Sequence, residues 1–104
     1  MNITDTYYDS LIAHIIANVP DVNGQKITED DWMGTIEIDA GDSTLYATPG
    51  WEGEALPFGM IVDDTGSVTS HGNLDVTWTG DLEADTALWV EKVTALINLG
   101  LVIP

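Results

Sequence analysis

Residues 35–48 read TIEIDAGDSTLYAT, and over this stretch the hydrophobic period of the chain becomes two. Ile36 and Ile38 alternate with polar neighbours, which is the pattern of a strand with one face in water. Gly-Asp at 41–42 then favours a turn, and residues 43–48 are rich in β-forming side chains. The stretch therefore predicts an antiparallel hairpin, and the rest of the fold is built outward from it.

Downstream of this hairpin the sequence predicts further strands. Residues 58–62 and 68–69 flank the turn sequence 63–67, in which a glycine can supply the positive φ angle of a hairpin turn. Residues 70–73 are interpreted as another turn and residues 75–79 as a fifth strand, because apolar and polar side chains alternate there.

Three stretches are predicted to be irregular. Residues 49–57 form a loop whose two prolines cannot donate to a β-ladder. Residues 21–26 are interpreted as a turn through Asn23-Gly24, and residues 29–31 as a solvated acidic patch.

A first helix is predicted to begin after Thr4, a good N-cap, with Ile3 placed to pack against Tyr8. Pro20 requires the helix to end at residue 18 or 19, because the residue before proline disfavours helical dihedrals. Its apolar stripe recurs at three- and four-residue spacing and comprises Tyr8, Leu11, Ile12, Ile15, Ile16 and Val19.

A second helix is predicted from the N-cap Asp81 to about Leu99, with Gly100 as its terminator. The apolar residues 101–103 after it are expected to pack on the domain or on another chain. The stripe of this helix is broad and comprises Leu82, Leu88, Trp89, Val93, Ala95, Leu96, Ile97 and Leu99.

The element order predicts one α+β domain over residues 1–104, because a chain of this length has one core to bury. We expect an antiparallel β-meander of about five strands, with the N- and C-terminal helices packed on one face. The face under the helices is predicted to hold Ile36, Ile38, Val76 and Trp78, packed against Leu11, Ile15, Trp89 and Val93.

Charge is the one extreme property of the sequence. The sequence has eighteen Asp and Glu residues but two Lys and no Arg, so the formal net charge is −16. Such a surface repels phosphates and lacks the cations that dominate nucleic-acid affinity, so direct nucleic-acid binding is excluded. No apolar run approaches the roughly 18 residues that span a bilayer, and no signal peptide is recognised. We expect a protein with no membrane partner, located in the cytoplasm, or in the host cytoplasm if it is viral.

No motif in the sequence predicts catalysis, a metal or a cofactor. His14 and His71 lack further ligands at metal-binding spacing. The stretch from Asp21 has glycine at its fourth position instead of the sixth that a calcium loop requires, and Trp32 at its twelfth. Without cysteine there is no thiolate site, and no pair among the carboxylates is singled out for acid–base work. We expect no catalytic residue, no cofactor and no enzymatic activity.

Three accounts of the acidity compete. In the first, the carboxylates bind a basic protein surface that normally holds DNA or RNA. Alternating strand positions such as Glu37 and Asp39 lie roughly 6.8 Å apart, the same order as successive phosphates. Small acidic phage inhibitors of restriction enzymes, uracil-DNA glycosylase or CRISPR effectors use charge in this way, and the analogy here is one of charge and size alone.

In the second account the acidity is a halophilic adaptation, which the excess of 12 Asp over 6 Glu fits. In the third, the protein is a structural or assembly component that uses the apolar face of the last helix and residues 101–103, and the acids keep it soluble.

The first account is the preferred hypothesis: an anti-defence nucleic-acid mimic, anti-CRISPR or anti-restriction in type and encoded by a phage. Its partner is a basic nucleic-acid-binding protein, and a homodimer is possible. The predicted partner-binding residues, chosen for strand or hairpin-tip positions and for one neighbouring patch, are Glu29, Asp30, Asp31, Glu37, Asp39, Asp42, Asp63, Asp64 and Asp75.

Overall fold

The structure is a computed structural model that describes residues 5–22, 24–30, 35–50 and 58–100. The fold has a six-stranded sheet, with one helix before it and one after it in the chain. The elements are α1 Asp5–Asn18, β1 Asp21–Val22, β2 Gln25–Asp30, β3 Thr35–Asp39, β4 Ser43–Thr48, β5 Phe58–Asp63, β6 Val68–Asn73 and α2 Leu82–Asn98. The predicted α+β class, with an antiparallel meander and terminal helices, is confirmed.

The strands follow one another in sequence order across the sheet, and every neighbouring pair is antiparallel. The hairpin that decides the fold has the expected register, with Ile38 opposite Leu45 and Ile36 opposite Ala47. All four side chains are fully buried. The alternation of residues 35–48 therefore does set which face of the sheet enters the core.

The helices close over this buried face. Helix α1 contacts α2, β2 and β3, and α2 also contacts β1. Asp81 caps α2 as predicted, its carboxylate accepting hydrogen bonds from the backbone N–H groups of Glu83 and Ala84. The predicted core side chains are buried or, for Val76, partly buried: Leu11, Ile15, Ile36, Ile38, Trp78, Trp89 and Val93 join Val76 there.

The prediction of a fifth strand at residues 75–79 is wrong, because these residues are not in a strand. Strand β6 continues through residues 70–73, which were predicted to be a turn. The chain then leaves the sheet because Asp75 adopts a φ of 56° and its N–H donates to the Asn73 side chain, 2.6 Å away. A left-handed residue breaks the extended backbone that a strand needs. The segment that follows is irregular, and it carries Trp78 into the core, where Nε1 donates to the Pro49 carbonyl at 2.6 Å.

Two strands at the start of the sheet were not predicted. The turn interpretation of residues 21–26 holds only at Gly24, whose φ is 83°, because β1 and β2 flank it as a hairpin. The acidic residues 29–30 belong to β2, which pairs with β3. Strand β2 has one apolar residue, Ile27, so its alternation is too weak to identify it from sequence.

Three predictions lie outside the described residues. They are the N-cap at Thr4 with its Ile3 contact, most of the loop at 49–57, and the packing of residues 101–103.

Candidate partner-binding surface

The sheet has a second face that the two helices do not cover, and we call it the open face. Cross-strand pairing aligns one row of side chains across five strands of this face: Thr28, Glu37, Tyr46, Met60 and His71. These residues alternate with the buried set of Ile27, Ile36, Ile38, Leu45 and Ile61. Alternate strand residues point to opposite sides of a sheet, so the row lies opposite the core.

Four of the predicted acids gather at one end of the sheet, which we call the acidic end: Asp39, Asp42, Asp63 and Asp64. The β3–β4 and β5–β6 turns lie at this end, because Asp39 is opposite Thr44 while Ser43 is opposite Asp63. Asp39, Asp42 and Asp64 are exposed. The sheet therefore brings together carboxylates that are up to 25 positions apart in the chain.

Asp39 and Asp63 both accept hydrogen bonds within their own hairpins, but Asp63 accepts more of them. The Gly41 N–H donates to Asp39 Oδ1 at 3.0 Å, which is one bond, whereas Asp63 accepts three. Asp63 Oδ1 accepts hydrogen bonds from the Thr65 hydroxyl at 2.6 Å, the Ser67 N–H at 2.9 Å and the Thr65 N–H at 3.0 Å. These bonds, led by that of the Thr65 hydroxyl, lower the pKa of Asp63. Asp63 thus holds the β5–β6 turn in shape, where Gly66 has a φ of 87°.

The remaining predicted acids do not join this end. Glu37 lies mid-strand on the open face, and Glu29 and Asp30 are the last two residues of β2, at the other end of the strands from the acidic end. Asp75 lies in the connection between β6 and α2. Asp31 lies outside the described residues. The eight predicted residues that the structure describes therefore do not all lie together.

Next to the acids on the open face is an apolar depression of about 340 Å³, lined by Tyr46, Met60, Val62, Gly66 and Val68. Val68 is 50% exposed although it is apolar. This patch was not predicted from the sequence. The one sign of it in the sequence is that β5 has apolar side chains at successive positions, from Met60 to Val62, so neither face of this strand is polar there.

A second feature missed from sequence is a buried carboxylate, Asp85, which is 0% exposed. It accepts hydrogen bonds from the Tyr7 hydroxyl, from the N–H and hydroxyl of Thr79, both at 2.8 Å, and from the Gly80 N–H at 3.0 Å. Burial raises the pKa of Asp85, but these hydrogen bonds outweigh it and hold the pKa below its usual range. Burial and the hydrogen bond to Asp85 raise the pKa of Tyr7.

The role of this cluster is structural, because hydrogen-bond donors surround both oxygens of the Asp85 carboxylate and a substrate could not reach them. The cluster ties α1 to the start of α2. A second tie lies beside it, where Nδ1 of the half-buried His14 is 2.9 Å from the Thr86 hydroxyl. His71 lies on β6 instead of in a turn, 6.3 Å from the Phe58 ring between centroids.

Within the described ranges, no three His, Asp or Glu side chains converge in a way that could hold a metal ion. Neither described helix has the length and apolar character needed to cross a bilayer.

Comparison with known proteins found no matching family model. No curated protein and no solved structure matches the chain either. Function is therefore inferred from the surface of the protein itself.

Proposed function

We propose that this protein is a small acidic inhibitor that binds the basic, nucleic-acid-binding surface of a partner protein. In this proposal it is of the same type as the anti-CRISPR and anti-restriction mimics that phages use against host defence. The observation that carries the proposal is the gathering of Asp39, Asp42 and Asp64 at one sheet end, beside Glu37 on the open face. Glu37 and Asp39 lie on β3, and Asp42 and Asp64 lie in the turns at its end of the sheet, so the carboxylates follow one another as phosphates do along a nucleic-acid strand.

The net charge of −16 supports the same partner chemistry. A field of one sign accelerates association with a surface of the opposite sign and discourages binding to acidic proteins. A basic surface that evolved to hold phosphates is the surface most complementary to this field.

Two of the acids, Asp63 and Asp85, do not have the properties of a general acid. A general acid needs a carboxyl group with a raised pKa. The pKa values of Asp63 and Asp85 are both lowered, and hydrogen bonds within the protein engage both groups.

The alternative of an assembly protein that docks through α2 has less support from the helix. Trp89, Val93 and Leu96 are buried within the domain and cannot also face a partner. Leu99, the C-cap of α2, is 67% exposed, and Leu88, Val90 and Ile97 on the helix are partly buried, so a smaller apolar surface remains there. The alternative therefore becomes one outcome of the test.

The experiment begins with a pull-down from host lysate at low and high salt, which identifies candidate partners. Each purified candidate is then tested for loss of binding to a labelled duplex or RNA as this protein is added. We expect inhibition that excess nucleic acid and added salt both relieve. The protein alone should not bind the labelled nucleic acid.

Two matched variants locate the surface. The first carries Glu37→Gln, Asp39→Asn, Asp42→Asn and Asp64→Asn, and it keeps Asp63 because that carboxylate shapes its turn. The control removes the same charge away from the acidic end, at four exposed acids on the helices and connection: Asp9→Asn, Asp75→Asn, Glu83→Gln and Glu91→Gln. Asp75 was among the predicted partner contacts, but it follows the end of β6 that lies away from the acidic end, so it serves as a control for that surface.

Exposed pairs contribute about 0.2–1 kcal/mol each, so the loss of four should weaken binding of the first variant by about fourfold to several hundredfold, while the control loses little. Equal affinity of the two variants would contradict this surface. Partners that stay bound at high salt and ignore nucleic acid would favour the assembly role.

A further inference from the structure

We propose that the open face binds its partner through an apolar anchor: one large apolar side chain of the partner seats in the depression, and basic residues around it meet the neighbouring acids. This inference rests on the proposed function and deepens it, because it names the chemistry that the basic partner must present. The depression is the one lined by Tyr46, Met60, Val62, Gly66 and Val68.

The apolar depression and the acids are direct neighbours in the sheet. Glu37 lies opposite Tyr46, whose other partner is Met60. Asp39 lies opposite Thr44, which in turn pairs with Val62. Side chains opposite each other on neighbouring strands have Cβ atoms roughly 4.5–5.5 Å apart, so one ligand can touch both groups.

This arrangement matches the anatomy of protein interfaces, in which an apolar centre is surrounded by a polar rim. Exposed charges contribute little each, and they attract any basic surface. A desolvated apolar centre supplies the discrimination that charge lacks, since a few buried anchors carry most of the energy of an interface.

The size and charge of the site select its occupant. Pockets that hold drug-sized ligands span roughly 300–1,000 Å³ and enclose most of the ligand, whereas this depression lies at the lower limit and is open to solvent. An open depression encloses too little of a free metabolite to hold it, whereas a side chain of a partner is also held by the contacts around it. A second copy of this chain is disfavoured as the occupant, because each copy has a net charge of −16 and the acids beside the depression would repel those of the other copy.

The test uses two arginine-rich peptides of equal charge, one with a central leucine and the other with serine at that position. Their affinities for the full chain are measured by fluorescence anisotropy at physiological ionic strength. We expect the leucine peptide to bind about tenfold more tightly, which is the scale of burying one such side chain.

Matched variants then place the anchor. Val68→Asp removes the exposed apolar side chain from the depression, and β6 is an edge strand that tolerates charge. Leu99→Asp makes the same change in charge and apolarity at the end of α2. Val68→Asp should abolish the leucine preference even though its added charge favours both peptides, whereas Leu99→Asp should keep the preference.

A measurement on the wild-type protein covers the case in which Val68→Asp fails to fold. Methyl chemical shifts should move for Met60, Val62 and Val68 on addition of the leucine peptide, and not for Leu99. Shifts confined to Leu99, or a preference lost only in Leu99→Asp, would overturn the anchor and move the contact to α2.

The outcomes also separate this inference from the proposed function. Equal, salt-sensitive affinity for the two peptides would overturn the anchor and leave recognition by charge in place. Failure of the protein to bind either peptide would count against both.

Discussion

The hydroxyl of Tyr7, in the first helix, donates a hydrogen bond to the buried carboxylate of Asp85 in the last helix, 78 positions later in the chain. Thr79 and Gly80 complete the set of donors. The first and last helices are thus joined around one buried charge. Such a charge stabilises a fold only while its donors remain in place.

Asp85→Asn should therefore destabilise the protein by about 2–4 kcal/mol, because an amide nitrogen would be buried among donors. Tyr7→Phe should cost less, about 1–2 kcal/mol, since the Thr79 and Gly80 donors remain. Urea unfolding followed by tryptophan fluorescence measures both. Glu91→Gln, an exposed acid on the same helix, is the control and should change stability by no more than about 0.5 kcal/mol. A cost of Asp85→Asn as small as that of the control would show that the cluster does not hold the helices together.

The contribution of Asp85 should also depend on pH. Its pKa in the folded protein lies below the unfolded value of about 3.9, so its stabilisation is complete above that value and is lost as the pH falls through the folded pKa. The difference in unfolding free energy between wild type and Asp85→Asn should be constant near neutral pH and narrow in acid. Comparing the two proteins removes the general gain that acid gives by discharging the surface. A difference that widens on acidification would mean that the folded pKa is raised.

Trp78 and Trp89 allow a matched test of a buried hydrogen bond. They are 6% and 1% exposed, but Trp78 Nε1 donates to the Pro49 carbonyl, whereas Trp89 Nε1 has no partner among the described residues. Replacement by Phe removes similar volume from both sites. Trp78→Phe leaves the Pro49 carbonyl without its donor, whereas Trp89→Phe removes an N–H donor that has no acceptor. Trp78→Phe should therefore lower the free energy of unfolding by about 1–3 kcal/mol more than Trp89→Phe does. Thermal and urea unfolding of the two variants give the comparison, and equal costs would indicate that Trp89 Nε1 is satisfied after all.

Salt should stabilise the isolated protein at low to moderate concentration. Like charges crowd the acidic end and the rest of the surface, and a Debye length near 10 Å at 0.1 M screens their repulsion. Thermal unfolding midpoints should rise over this range to the same extent in sodium and potassium chloride. A flat or falling midpoint would argue against a surface dominated by repulsion. A midpoint that rises only in molar salt would favour halophilic adaptation.

The sequence by itself determined the elements whose signals are local. The caps and apolar periodicity of 5–18 and 82–98 predicted both helices, and the alternation at 35–48 predicted the central hairpin with its buried isoleucines. These signals suffice because a helix turn or a two-strand hairpin brings together residues that are close in the chain. The exposed acids at 39, 42 and 64 were likewise identified as candidates from their turn and strand positions.

Only the tertiary structure decided the features that depend on distant partners. Strand β2 pairs mostly polar residues, and its place is fixed by hydrogen bonds to β3, which its weak alternation did not reveal. Asp75, through its left-handed backbone, ends the sheet where alternation predicted another strand. Asp85 resembles any carboxylate in the first turn of a helix until Tyr7 and Thr79 surround it. The apolar depression exists because β4, β5 and β6 lie side by side with no helix over that face, and the relation of strands across a sheet is set by long-range packing that periodicity does not encode.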